Sequence, residues 1–265
     1  MTDRSLPEIR PLVGMVHLPA LPGAPDFSDR ETVREHALAD ARTLDDAGVD
    51  ALIVENFGDS PFYPDDVPDH VVAEMTAVTS AVTDAVDCPV GVNVLRNDAA
   101  AAVSVAAAAG ADFVRVNVHT GARLTDQGVV EGQAHETIRL RDRIDADVAI
   151  LADVAVKHSA PLASRGVAEV VADTVERGHA DGIVVSGDAT GSETDVPDVE
   201  AVAAARDAVD PSVPVFVGSG VTADTATTLL ADADGLIVGT ALKADGEVTN
   251  PVDPDRAAEL VASVR

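Results

Sequence analysis

The chain predicts an α/β fold, a single (β/α)8 TIM barrel with a parallel eight-stranded core spanning residues 1–265, and three observations carry that prediction. The first is a recurring unit. Four times a small-residue helix end runs into an aspartate and a short apolar strand: Ala47-Gly48-Val49-Asp50 before Ala51–Val54, Ala109-Gly110-Ala111-Asp112 before Phe113–Val116, Gly178–Asp181 before Gly182–Val185, and Ala231–Asp234 before Gly235–Val238. Glycine or a small residue closes a helix where φ turns positive, and a strand buried on both faces reads as a continuous apolar run. The second observation is strict strand–helix alternation, which implies a parallel sheet and, with eight units, a closed ring. The third is an asymmetry of loops. Those entering the strands are short, whereas those leaving them are long and polar, as at the face where such barrels keep their sites.

In order along the chain, the strand candidates are Pro11–Leu18, Ala51–Phe57, Pro89–Leu95, Phe113–His119, Val148–Val154, Gly182–Ser186, Pro214–Gly218 and Gly235–Gly239. The intervening segments place apolar residues at helical spacing, for example Val33, Ala37, Leu38, Ala41 and Leu44, or Val167, Val170, Val171 and Val175. Ala99–Ala109 reads as an Ala-rich helix capped by Asp98 and stopped by Gly110, and Asp255–Val264 as the helix that closes the ring. The exit loops are Pro19–Asp29, Gly58–Pro68, Thr120–Gly132, Gly187–Pro197 and Ala241–Pro254. Thr120–Gly132, polar and bounded by glycines, is a candidate lid. The repeat aspartates mark the entry side of four strands, so they are assigned to the structural face.

Strand ends nominate the chemistry. His17 breaks an apolar run at the end of the first strand, and Glu55 ends the second, where a carboxylate must be paired, solvated or used as an acid or base. Asn56 follows it. The third strand supplies Asn93 and Arg96 and the fourth Arg115, Asn117 and His119; the two Asn residues at matching strand ends suit either carbonyl and hydroxyl recognition or hydrogen bonding within the barrel layer. The fifth ends Asp153-Val-Ala-Val-Lys157-His158. Asp153 and Lys157 share a strand parity if the extended geometry persists, so the set serves proton transfer, a metal or an amine nucleophile, or forms a salt bridge. Asp153, Lys157, His17 and Glu55 are the catalytic candidates; Asn56, Asn93, Arg96, Asn117, His119 and His158 are the substrate-binding candidates.

The last three strand ends read as an anion cradle: Ser186, Gly187, Thr190 and Gly191, then Gly218-Ser219-Gly220, then Gly239-Thr240. Glycines let peptide N–H groups approach an oxyanion, and the loops after strands seven and eight are where this fold commonly binds phosphate. The histidines include no His-x-x-x-His pair, so a structural zinc is not expected and no metal residues are assigned, although His17, His119, Asp153 and His158 are the side chains that could bind one. No cofactor is expected; a divalent cation such as Mg2+ held partly by substrate phosphate stays open.

Composition narrows the partners. The formal net charge is −28, with lysine only at positions 157 and 243. Such an acidic, Lys-poor surface suits a cytoplasmic protein of a high-salt, halophilic cell, where charge is screened over a few ångströms. It argues against nucleic acid, which requires clustered Lys and Arg; Arg139, Arg141 and Arg143 read as a solvated helix face. The lone Cys88 forms no intramolecular disulfide. No run is long enough for membrane insertion, and Met1-Thr-Asp-Arg4 lacks the apolar stretch of a signal peptide.

Five motifs are similar to those of the BtpA family: Val13–Gly23 (VGMVHLPALPG), Glu55–Asp59 (ENFGD), Thr125–Gly128 (TDQG), Leu151–His158 (LADVAVKH) and Gly218–Val221 (GSGV). The resemblance extends over essentially the whole chain. It implies a phosphate-binding-type barrel and a globular, cytoplasm-facing protein. One cyanobacterial branch is linked with photosystem I biogenesis, and other members accompany sugar-metabolism genes. Residues and resemblance together lead to the expectation of a cytosolic enzyme acting on a phosphorylated small molecule, a sugar phosphate or nucleotide-derived phosphate, by isomerase, lyase or transfer chemistry. Further copies of the chain are a possible partner in a homo-oligomer. The alternative is a non-catalytic assembly or regulatory factor whose exposed apolar patch would involve Leu21, Phe62 and Tyr63.

Overall fold

The computed structural model describes residues 12–154, 159–187 and 195–265; Lys157, His158, Thr190 and Gly191 lie outside the described residues. The barrel strands are β1 (Leu12–His17), β2 (Ala51–Glu55), β3 (Val90–Asn93), β4 (Phe113–Val116), β5 (Ala149–Asp153), β6 (Gly182–Val185), β7 (Val215–Val217) and β8 (Gly235–Val238). Each pairs in parallel with the next, and β8 returns to β1, closing the ring. Around it lie α1 (Arg30–Ala47), α2 (Asp69–Thr83), α3 (Ala99–Ala109), α4 (Ala134–Arg143), α5 (Val167–Ala172), α6 (Val196–Val209), α7 (Ala223–Leu229) and α8 (Pro254–Val264).

The helix signals act as expected. The Asp29 and Asp98 side chains accept from the Thr32 and Ala101 N–H groups at the starts of α1 and α3, and Gly48 and Gly110 close those helices in the left-handed region. After α5 the helix widens into a π turn over Asp173–Arg177, which the spacing of apolar residues does not reveal.

The repeat aspartates form a ring of backbone clamps at the entry end. The carboxylates of Asp50, Asp112, Asp181 and Asp234 accept from the N–H groups of Leu12, Val90, Ile150 and Val215, at 2.8–2.9 Å. Each aspartate precedes an even-numbered strand and holds the start of the odd-numbered strand beside it. Three of the four are also held by arginines: Arg265 on Asp50, Arg141 on Asp181 and Arg206 on Asp234. These contacts satisfy strand-edge donors that the ladder leaves open.

Alternate strand residues fill the barrel interior, among them Val13, Met15, Ile53, Leu151, Phe216 and Ile237. The Phe113 ring fills the space beside Gly91, where a Cβ would lie 2.3 Å from it. The opposite parity packs under the helices in a larger Val/Ala/Leu core. Interior parity, carried one step further toward the exit face, puts His17, Glu55, Asn93, Arg115, Asp153 and Gly218 around one opening.

The predicted loop Thr120–Gly132 is instead a β-hairpin, Ala122–Thr125 paired antiparallel with Gly128–Glu131 and flanked by Ala160–Pro161. Its strands are too short to show alternation, and its turn is built by Thr125, whose Oγ1 accepts from the Gln127 N–H and donates to the Gly128 carbonyl. No helix among the described residues is long and apolar enough to cross a membrane.

Candidate active site

A cavity of about 540 Å3 opens at the exit end of the strands. That is the size of a small-molecule site, where this fold concentrates its functional residues. On one side stand His17 and Glu55, opposite each other in the β1–β2 register, with His17 Nε2 3.6 Å from Glu55 Oε1. Both are more than nine-tenths buried. The His17 ring lies against the Phe57 ring, with centroids 4.7 Å apart, which fixes the imidazole plane.

Arg115 rises on the adjoining wall and is 4% exposed. Its Nε and Nη2 donate to Asp153 Oδ1 and Oδ2 at 2.9 Å each, and Nη2 also donates to Ser186 Oγ at 3.1 Å. Burial opposes the guanidinium charge, but the Asp153 carboxylate more than compensates, holding the Arg115 pKa above its ordinary value. Asp153 also accepts from Asn117 Nδ2, and Asn117 Oδ1 in turn accepts from Asn93 Nδ2. Asp153, expected as an acid or base, is therefore a buried carboxylate committed to one arginine. Arg115, whose four-residue strand gave no motif, is the residue that the strand-end reading underweighted; its signal was a charge on the inward parity of a buried strand.

The opposite wall is formed by the turns after β7 and β8. Gly220, with φ +67°, Gly239 and Thr240 all line the cavity. Among the described residues no acceptor takes their peptide N–H groups. Two other expected cradle donors are already used: the Gly187 N–H donates to Ser219 Oγ at 2.6 Å, and the Gly218 N–H to the Val185 carbonyl at 2.7 Å. Gly218 serves by its lack of a side chain, since a Cβ there would lie 2.5 Å from Val184 Cγ1, 2.8 Å from Ser186 Oγ and 3.0 Å from Arg115 Nη2. Gly239 makes similar room for His17, whose Cε1 would be 2.8 Å from an added Cβ. Ser186 belongs to the Arg115 network rather than to the wall.

The remaining candidates divide. Arg96 and Asn117 line the cavity. Asn56, of outward parity, bridges loops instead, accepting from the Leu95 N–H and donating to Asp59 Oδ2. His119 continues the inward numbering of β4, but the strand ends at Val116, and the chain turns the ring away. Its Nε2 donates to the Gly178 carbonyl at 2.8 Å beside a separate cleft. Burial holds the His119 pKa below the usual histidine value, with the Gly178 carbonyl opposing. Phe62 and the hairpin-tip residue Asp126 also line the main cavity, so the candidate lid reaches the site as a hairpin. Among the described residues no cluster of three or more His, Cys, Asp or Glu is arranged to hold a metal.

A sequence model described as the BtpA family matches residues 8–265. The chain belongs to the BtpA family. It is 44% identical over 256 residues to the photosystem I biogenesis protein BtpA of Synechocystis, covering 96% of this chain and 88% of that protein. An uncharacterised protein from Thermococcus kodakarensis is 49% identical over 255 residues, covering 96% of this chain and 95% of that protein. Solved structures share the barrel at low identity. A Mycobacterium tuberculosis tryptophan synthase chain superposes with a TM-score of 0.65 at 21% identity, covering 97% of this chain and 93% of that one. The N-(5'-phosphoribosyl)anthranilate isomerase of Pyrococcus furiosus gives 0.56 at 14%, covering 95% and 97%. These likenesses establish the fold of this BtpA-family protein.

Proposed function

We propose that this protein is an enzyme that acts on a phosphorylated small molecule, a sugar phosphate or nucleotide-derived phosphate, by acid/base chemistry. Glu55 and His17 move the proton, and the wall after β7 and β8 holds the phosphate. The observation that carries this reading is the place of Gly239. It is an edge of the donor-bearing wall and at the same time the residue packed against His17 Cε1, so an anion on that wall lies within a few bonds of the acid/base pair. Arg256, whose Nε donates to the Ala241 carbonyl, adds a cation to the same wall. The names of two barrel relatives, the phosphoribosylanthranilate isomerase and a Pyrococcus furiosus thiamine phosphate pyrophosphorylase, are consistent with phosphate handling on this scaffold. The acidic composition fits work in a high-salt cytoplasm.

Thermal-shift measurements in high salt with sugar phosphates, nucleotides and inorganic phosphate test the reading. Stabilisation by phosphorylated compounds that is strongly reduced in Gly239→Ala supports it; no response to any of them overturns it.

A second reading, a non-catalytic assembly or regulatory factor, is favoured by a different surface. Leu21 is buried and Phe62 lines the cavity, leaving only Tyr63 exposed among the residues first considered. Among the described residues the most exposed large apolar side chains besides these lie on and beside the hairpin, where Leu124 and Val129 form a cross-strand pair and Leu162 follows the flanking Ala160–Pro161 segment, each about half exposed. The name of the Synechocystis relative is of this kind. Turnover of any phosphorylated compound that stabilises the protein decides against it.

A further inference from the structure

Asp153 uses both its oxygens to hold Arg115 by Nε and Nη2, and Ser186 takes a further bond from Nη2. This fork fixes the guanidinium plane. Among the described residues Nη1 has no hydrogen-bond partner, and Arg115 is a lining residue of the cavity. A buried arginine held by two of its nitrogens at one carboxylate presents the third as a fixed, charged donor, in the geometry that oxyanion recognition requires. Glu55 shares the same cavity and lies near enough to act on the Arg115 charge.

We infer that Arg115 Nη1 binds the carbonyl oxygen of the substrate, which makes the substrate a phosphorylated ketone or aldehyde rather than a phosphorylated alcohol. The inference rests on the acid/base reading above and specifies it. Glu55 takes a proton from the carbon next to the carbonyl. The C–H electron pair becomes the C=C bond and the carbonyl π pair moves to oxygen, giving an enolate whose negative charge faces Nη1. Where the deprotonated carbon bears a hydroxyl, the proton returns to the former carbonyl carbon, the hydroxyl proton passes to the enolate oxygen and the C–O bond of the first carbon becomes the new carbonyl, an isomerisation without any external oxidant or reductant. His17, beside Glu55, is placed to relay the proton on oxygen. Arg115 is a substrate-contacting group in this scheme, and Asp153 a positioning residue.

The test compares matched pairs by calorimetry in high salt: ribulose 5-phosphate with ribitol 5-phosphate, and fructose 6-phosphate with sorbitol 6-phosphate, with inorganic phosphate as control. The carbonyl member of at least one pair is expected to bind about tenfold or more tightly, the usual worth of a hydrogen bond to a charged donor. The same compound is expected to exchange a carbon-bound hydrogen with deuterium from D2O in the wild type. Glu55→Gln stops the exchange but keeps the carbonyl preference; Arg115→Lys loses the preference. Equal affinity within every pair, or exchange and preference unchanged in Arg115→Lys, overturns the inference while leaving phosphate binding intact. Failure of every phosphorylated compound and of inorganic phosphate to bind overturns the underlying reading instead. The wild-type comparison needs no variant, so it holds even if Arg115→Lys does not fold.

Discussion

Arg115 and Asp153 meet in a two-point contact across β4 and β5, Nε to Oδ1 and Nη2 to Oδ2, both at 2.9 Å and both almost fully buried. Removing one partner of such a pair leaves the other as an uncompensated buried charge, at a cost of about 3–5 kcal/mol. Asp153→Ala is expected to lower stability by that amount in urea unfolding at high salt. Arg115→Met combined with Asp153→Leu is expected to lose clearly less than the sum of the single changes, because the two charges disappear together. Equal and additive losses would show that the pair is not coupled.

Gly239→Ala separates site from scaffold. The added methyl meets a side chain, the His17 ring, rather than backbone, so the stability loss should stay within about 1–3 kcal/mol. Ligand-induced stabilisation should fall far more, because the imidazole and the β8 wall are displaced together. In Gly218→Ala the methyl meets Val184 Cγ1 and the Arg115 network, so the melting temperature itself should drop more steeply than in Gly239→Ala.

The entry-side clamps are expected to be unequal. Asp181 accepts from the Ile150 N–H and pairs with Arg141, which is itself 4% exposed. Among the described residues Asp112 has no such arginine; it accepts from the Val90 N–H. Asp112→Ala should cost about 1–3 kcal/mol, the price of an orphaned donor. Asp181→Ala should cost more, since it also strands a buried cation. Chemical denaturation of the two variants side by side checks the order.

Lys243, one of the two lysines, has no solvent exposure and donates from Nζ to Asp40 Oδ2 at 2.5 Å. Asp40 Oδ1 accepts from the Val252 N–H, so the pair ties α1 to the segment that carries Thr240 and Ala241 into the cavity. Burial pushes the Lys243 pKa down, against the pull of Asp40. Among the described residues, Lys243→Met leaves Asp40 buried beside only the Val252 N–H and the His36 ring, and should destabilise the fold by about 3–5 kcal/mol. Hydrogen exchange should show the segment between β8 and α8 opening first.

Stability should fall as pH drops below about 6.5 in part through His119. In the folded protein its pKa lies below the ordinary 6.5 because the ring is buried, so the unfolded chain binds the proton first as pH drops. The contribution is complete above pH 6.5 and is lost as pH falls from there toward the folded value. His36, also lowered chiefly by burial, acts in the same direction. Asp59 and Asp98, raised by burial, act oppositely at lower pH, so a variant comparison is needed. His119→Gln keeps a donor for the Gly178 carbonyl and should flatten the slope of urea midpoint against pH; an unchanged slope would remove His119 as its source.

The sequence by itself determined the ring. Eight apolar runs, the Gly48 and Gly110 helix ends and the four repeat aspartates lie in local patterns, and local patterns follow from backbone geometry and burial parity. The same parity named His17, Glu55 and Gly239 correctly as residues of one opening, since alternation along a strand is a property of the strand alone. It failed where the strands stop. Asn56 falls on the outward side, His119 lies past the end of β4, and Thr120–Gly132 pairs with itself instead of looping. Only the tertiary structure decided what Asp153 does, because its role depends on Arg115, 38 residues away in the chain, and on Ser186, just past the end of β6. Likewise Gly218 is explained by the side chains it faces, and Lys243 by an aspartate on a helix at the other end of the sequence. Partnership between distant strands carries no periodic signal. It is set by which side chains the closed barrel brings within hydrogen-bonding distance, and that is where this protein places its charges.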